Sequence, residues 1–192
     1  MTRPETYNSN IAIGSNTLFL AGLGGTTCEE NTAIGIGAGG TTYRSGSNNT
    51  ILGYDADTSA ASVDNEFTLG NSSVATLRCA VTSITSLSDA RDKTDIKDLS
   101  YGVDFIKNLT PREFTWNNRS EKDINGNDFY SENKGKKDFG FVAQEVQALD
   151  NDTLRLIYNS NPEKLEMSYG KLVPILVQAV KELTSRLEAL EN

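Results

Sequence analysis

The 192-residue chain has no histidine, so the side chain most often used as a general base and as a metal ligand is missing. Its two cysteines, Cys28 and Cys79, are too few and too widely spaced for a disulfide framework or a thiolate metal site, and they read as small buried thiols. No apolar run approaches the roughly 20 residues of a membrane-spanning helix, and the N-terminus lacks the charged-then-apolar layout of a secretion signal. Basic residues are also short: 18 Lys and Arg against 26 Asp and Glu leave a formal charge of -8. That balance argues against nucleic acid or an anionic membrane as the main partner. The expectation is a soluble chain, with no membrane insertion, made in a reducing compartment.

These absences are unevenly distributed. Residues 1–87 contain no lysine and only 3 basic and 7 acidic side chains, but 11 of the 16 glycines. Residues 88–192 hold all ten lysines and the only tryptophan. A change this abrupt predicts two domains, 1–87 and 88–192. The first is rich in Gly, Ser, Thr and Asn and poor in large apolar side chains. It buries too little surface to offset its chain entropy alone, and should need stacked repeats or neighbouring subunits.

A repeat is present. Asn10-Ile-Ala-Ile-Gly14, Asn31-Thr-Ala-Ile-Gly35, Asn49-Thr-Ile-Leu-Gly53 and the looser Asn65-Glu-Phe-Thr-Leu-Gly70 share one pattern, their final glycines 21, 18 and 17 residues apart. Such a period signals a structure that grows by stacking. Each unit reads as a short strand with its apolar residues inward, begun by Asn and ended by a Gly able to take positive φ. The Gly-rich run Gly35-Ile-Gly37 with Gly39-Gly40 is not a phosphate loop, because no Lys-Ser/Thr follows and no helix opens after it. From Asn71 to Leu87, Val74, Leu77, Val81, Ile84 and Leu87 alternate with small polar residues, a β-prone stretch best completed by identical strands of partner subunits.

The second half reads as α+β. A helix is expected over Asp98–Asn108, with Ser100 as cap and Pro111 as stop. Arg112–Asn117 alternates as a strand, residues 117–138 form a long polar loop, and Phe139–Ala143 reads as a buried strand leading into a helix from Gln144 to Leu149. Leu154–Tyr158 and Lys164–Met167 look like hairpin arms. From Tyr169 onward Val173, Leu176, Val180, Leu183, Leu187 and Leu190 recur at steps of three and four, the a and d positions of two and a half heptads, with Pro174 confined to the first turn. This seam packs either on its own domain or on copies of itself, and self-association is the expectation, because an isolated helix of this length is marginal.

At the border stands Leu87-Ser88-Asp89-Ala90-Arg91-Asp92-Lys93. A serine and a lysine within reach of one another are the smallest arrangement that activates a hydroxyl without histidine. Lysine acts as a base only when burial or a nearby cation lowers its proton affinity, so such a pair would switch on only with folding.

Four blocks extend this signal in order: Ser88-Asp-Ala-Arg-Asp-Lys-Thr-Asp-Ile96, Leu109-Thr-Pro-Arg-Glu-Phe-Thr-Trp116, Gly140-Phe-Val-Ala-Gln-Glu-Val146 and Tyr169-Gly-Lys-Leu-Val-Pro-Ile-Leu-Val-Gln-Ala-Val-Lys-Glu-Leu183. Together they resemble the intramolecular chaperone domain of phage tail spikes and fibres, peptidase family S74. The resemblance implies a domain that trimerises, holds three fibre chains in register while they fold, and is then released by a Ser/Lys dyad. Carried over, Ser88 is the nucleophile and Lys93 the base. Asp89 and Arg91 match motif positions whose role is either orientation or a positive field on Lys93. The cut falls next to Ser88. Attack of Ser88 Oγ on its own carbonyl closes a strained four-membered ring, attack on the Leu87 carbonyl a five-membered one, and attack on another subunit avoids both. Leu87-Ser88 and Ser88-Asp89 therefore both remain open.

Upstream, the chain resembles the Asn-x-Ala-Ile-Gly repeats of trimeric fibre and adhesin shafts, implying a β-helix or β-prism-like trimer. The expected partners are a homotrimer, the chain's own N-terminal part as folding client, and a host-surface glycan or protein. No cofactor and no metal are implied. The expected location is a virion tail fibre or spike assembled in the bacterial cytoplasm, and Met1 reads as a boundary within a longer polypeptide. The competing reading is a non-cleaving adhesive trimer that keeps its C-terminal domain as a cap.

Overall fold

A computed structural model of the chain describes residues 9–81, 83–117, 119–123, 125–150 and 153–191. The first half carries β1 (Ile11–Ile13), β2 (Cys28–Glu29), β3 (Thr32–Ile34), β4 (Gly46–Ser47), β5 (Thr50–Leu52) and β6 (Phe67–Leu69). A 3-10 turn (Ala90–Asp92), α1 (Val103–Asn108), β7 (Arg112–Thr115), β8 (Glu121–Lys122), β9 (Asp128–Phe129), β10 (Lys137–Gly140) and α2 (Ala143–Asp150) follow. The chain ends with β11 (Ile157–Tyr158), β12 (Glu166–Met167), a second 3-10 turn (Tyr169–Lys171) and α3 (Leu172–Glu191). It is thus mixed α and β, with a C-terminal helix of 20 residues. Two compact units are present, one made of residues up to Leu77 with 114–138 and 160–164, the other of 78–113, 139–159 and from Leu165 onward.

In the first unit each repeat supplies one rung of a parallel sheet in the order β1-β3-β5-β6. The register is uniform: Ala12, Ala33, Ile51 and Thr68 stack in one column, and Ile13, Ile34, Leu52 and Leu69 in the next. In β3 and β5 the central residue alone is buried, Ala33 and Ile51 lying fully covered with Cys28, Ala38, Tyr43 and Ala56, whereas all three residues of β1 are exposed and the central Thr68 of β6 is half-buried. Ile11, Ile13, Ile34, Phe67 and Leu69 are exposed, contrary to the expected inward set. The cause is the period of two: in a three-residue strand the outer positions share a face, and it is opposite the central one.

The asparagines explain the repeat better than the apolar residues do. Asn10 Oδ1 accepts from both the backbone N–H and the side-chain amide of Asn31, at 2.9 and 3.0 Å. Asn31 Oδ1 does the same for Asn49, and Asn49 Oδ1 accepts from the Glu66 N–H. Their Nδ2 groups donate sideways, Asn31 to Gly46 O and Asn49 to Val63 O. Asn31 and Asn49 are each only 1 % exposed, so this ladder satisfies polar groups that water does not reach. At the other end of each strand the backbones come too close for a side chain: a Cβ on Gly35 would lie 2.3 Å from Gly53 O, at φ +137°.

The last turns of the stack meet segments from much later in the chain. Residues 117–138, expected to be a loop, contain the antiparallel β8/β9 hairpin. Glu121 on β8 accepts from the Ser72 hydroxyl at 2.6 Å and the Lys164 ammonium at 2.9 Å. Asn161 donates to Ser59 O at 2.8 Å.

In the second unit α1 and α3 pack together over a core of Leu109, Val146, Leu156, Ile157, Leu172 and Ile175, closed by the β11/β12 hairpin. The α1 helix begins at Val103, later than expected, with Gly102 rather than Ser100 at its cap. Its Val103 N–H is satisfied by Glu182 Oε2 of α3 at 2.9 Å, and a side chain on Gly102 would collide with that carboxylate. Two further expectations change. Cys28 is buried but Cys79 is exposed, and Phe139 on β10 is 81 % exposed rather than buried. Residues 71–81 and 83–87 form no strand among the described residues, since none of the chain's own strands pairs with them.

Candidate functional site

The geometry at the border begins with a turn. Asp89 has extended backbone (φ -67°, ψ 137°), and its side chain caps the 3-10 turn Ala90–Asp92 by accepting from Arg91 N at 2.8 Å. Asp92 N–H returns to Asp89 O and Lys93 N–H to Ala90 O, both at 3.2 Å. This reversal carries the Lys93 side chain back over Ser88. Lys93 Nζ lies 2.7 Å from Ser88 Oγ and 2.9 Å from Ser88 O.

Asp89 and Arg91 form a two-pronged ion pair beside it, Nε to Oδ1 at 3.0 Å and Nη2 to Oδ2 at 2.6 Å. The Arg91 side chain and its backbone N–H hold the Asp89 carboxyl below the usual carboxylate range, and Asp89 in turn raises the guanidinium. The charges of Asp89 and Arg91 are therefore spent on each other.

The site is open. Ser88, Asp89, Arg91 and Lys93 are exposed, and Leu87 and Ile84 are each 96 % exposed. As a donor, Lys93 holds Oγ by its lone pair. General-base chemistry needs the reverse, an uncharged amine accepting Oγ–H. What the single chain provides is proximity and alignment, without the water exclusion that would reverse the bond. Among the described residues no group of three or more His, Cys, Asp or Glu could hold a metal ion.

The α3 helix carries two apolar stripes. Leu172, Ile175 and Ala179 are buried in the second unit. Val173, Leu176, Val180, Leu183, Leu187 and Leu190 are all exposed, between 47 and 83 %. Val177 widens this stripe at 55 % exposure. The helix thus satisfies its own domain with one set of residues and leaves the heptad set uncovered.

The sequence reading missed the asparagine ladder, the Glu182 cap and the Glu121 contacts. The recurring Asn at a fixed place before each strand was the available signal for the first; nothing local marked the other two. Asn31 and Asn49 are not exposed groups that a glycan could reach, since both are buried and hydrogen-bonded.

Comparison with known proteins gives a family match. Residues 88–155 match the family model Peptidase_S74, described as the chaperone of endosialidase. The match opens on Ser88 and includes Lys93. No curated protein and no solved structure matches the chain. No described helix is long and apolar enough to cross a membrane.

Proposed function

We propose that this chain, which carries the Peptidase_S74 segment at residues 88–155, is the C-terminal part of a phage tail fibre or spike. Its domain from Ser88 onward trimerises through α3, brings three copies of the residue 1–87 shaft into register, and cuts itself away at the border. The observation that carries this reading is the 2.7 Å approach of Lys93 Nζ to Ser88 Oγ at the first residue of the family match.

The chemistry follows from that geometry. With Lys93 uncharged, Oγ–H passes its proton to the amine as Oγ attacks a peptide carbonyl. Collapse of the tetrahedral intermediate expels the peptide nitrogen, which takes that proton from Lys93, and leaves a Ser88 ester. Water then hydrolyses the ester to a carboxylate and restores the hydroxyl. The Lys93 contact with Ser88 O polarises the carbonyl of Ser88-Asp89 and favours that bond, attacked by Ser88 of another copy, because self-attack closes a four-membered ring.

Assembly supplies what the single chain lacks. Three exposed apolar surfaces need cover: the α3 heptad stripe, the Val74–Leu87 segment and the outer column Ile13, Ile34 and Leu69 of the stack. Covering the segment that ends at Leu87 brings apolar surface against the pair and removes water from Lys93. A shaft held together by short rungs gains from a registry device, since pairing three identical chains has many wrong registers. The β8/β9 hairpin, inside the matched residues, and Asn161, beyond them, both meet the last turns of the stack, which supports reading the stack as the folding client.

The retained-cap alternative rests on the exposed, donating state of Lys93. A denaturing gel of assembled protein separates the two readings. Self-release gives pieces of about 9 and 11 kDa from residue count, and Ser88→Ala leaves one 20.9 kDa band. An intact wild-type band in fully assembled trimer refutes cleavage.

A further inference from the structure

Five residues of extended chain span about 17 Å, farther than a lysine side chain reaches, so Lys93 meets Ser88 only if the intervening chain turns back. The turn that does this is one 3-10 segment of three residues with no buried side chain. Such a segment has poor hydrogen-bond geometry and no packing to hold it. What holds it is the side-chain clasp. Asp89 Oδ1 accepts from both Arg91 N (2.8 Å) and Arg91 Nε (3.0 Å), and Oδ2 accepts from Arg91 Nη2 at 2.6 Å.

We propose that Asp89 and Arg91 are positioning residues that lock the 88–93 turn and thereby set the Ser88–Lys93 distance. This rests on the self-cleavage reading above. Of the two roles open to Arg91, orientation or a positive field on Lys93, the geometry selects orientation. The guanidinium is committed to Asp89 by two prongs, and an ion pair presents little net field to a third group.

The two roles differ in outcome. If Arg91 acts by its fork, Arg91→Lys and Arg91→Gln both slow cleavage, by about 3- to 10-fold, because lysine keeps the charge but cannot make the two-pronged contact. The pH midpoint of the cleavage rate then stays that of wild type. If Arg91 acts by its field, Arg91→Lys cleaves normally and Arg91→Gln moves the midpoint upward. Asp89→Ala, which removes clasp and cap, slows cleavage about 10- to 100-fold, and Asp89→Asn, which keeps a capping oxygen, recovers part of the loss.

The experiment is a pH-resolved gel time course of assembled full-length variants, compared at equal trimer fraction and equal melting temperature so that a folding defect does not count. An unchanged midpoint with slowed Arg91→Lys supports the clasp, as does rescue by Asp89→Asn. Wild-type rates in Arg91→Lys and Asp89→Ala overturn it. If wild type itself is not cut, the cleavage reading fails, and the clasp is decided separately on the uncut chain. A nuclear Overhauser contact between Lys93 Hε and Ser88 Hβ that disappears in Asp89→Ala supports the clasp, and one that persists overturns it.

Discussion

Replacing Leu183 by aspartate tests the assembly surface at one point. Leu183 is 48 % exposed, in the middle of the uncovered stripe and outside the buried set Leu172, Ile175 and Ala179. Covering the exposed half of a leucine is worth about 1 kcal/mol, so three copies contribute about 3 kcal/mol to a trimer. Aspartate removes that gain and brings three carboxylates into one apolar seam, where desolvation costs several kcal/mol for each charge. The loss is large against any seam of six such residues, while the separate chain, in which position 183 faces water, keeps its fold. Sedimentation velocity reads the outcome in the uncut Ser88→Ala background: near 63 kDa, three times 20.9 kDa, with Leu183 in place, and near the single-chain mass with unchanged circular dichroism once Leu183→Asp is added. Lys181→Asp, an exposed position off the stripe, is the control for added charge. A Leu183→Asp protein that still sediments as a trimer refutes α3 as the seam.

Further outcomes follow from other contacts. Ile175→Ala, at a 2 % exposed position, destabilises the second unit by about 2–5 kcal/mol in thermal or denaturant unfolding, whereas Val180→Ala, 61 % exposed, leaves unfolding of the separated chain unchanged and weakens only association. Asn31→Ala strips the acceptor from the Asn49 N–H and amide inside the stack, and about 2–4 kcal/mol of stability is lost, measured by denaturant titration. For Glu121, burial pushes the carboxyl up, but the Ser72 hydroxyl and the Lys164 ammonium more than reverse it and leave it below its ordinary value. A depressed folded-state value gives stability that is present above about pH 4.3 and lost as pH falls through the folded value. The hairpin contact should therefore loosen as acid takes the pH below the ordinary glutamate range, and Glu121→Gln should remove this acid dependence, read from hydrogen exchange of residues 119–123.

The chain's broad plan was legible where physics is local. The Asn-x-Ala-Ile-Gly period located all four rungs, and the Leu154–Tyr158 and Lys164–Met167 arms pair as expected. The heptads located α3, because a 3.6-residue period needs no tertiary knowledge. The Ser88–Lys93 contact was legible as a spacing, although only the turn capped by Asp89 shows how five residues fold back on themselves. Long-range decisions were not legible. The α1 start is set by Glu182, 79 residues away, and the polar 117–138 stretch acquires its hairpin where Glu121 meets Ser72 and Lys164. Facing was misjudged in the short strands for a related reason: Ile34 and Ala33 differ in burial because of which side the stack closes on, and hydrophobicity alone favours the larger residue.

The central claim is that Ser88 cuts only after assembly has taken water from Lys93, and dilution tests it directly. Wild-type chains refolded from denaturant over a hundredfold range of concentration are sampled in time on denaturing gels, with Ser88→Ala alongside. The account predicts that the lag before fragments appear shortens steeply as chain concentration rises, with fragments confined to the trimer fraction. Fragments forming at one rate at every concentration, in single chains, would contradict it.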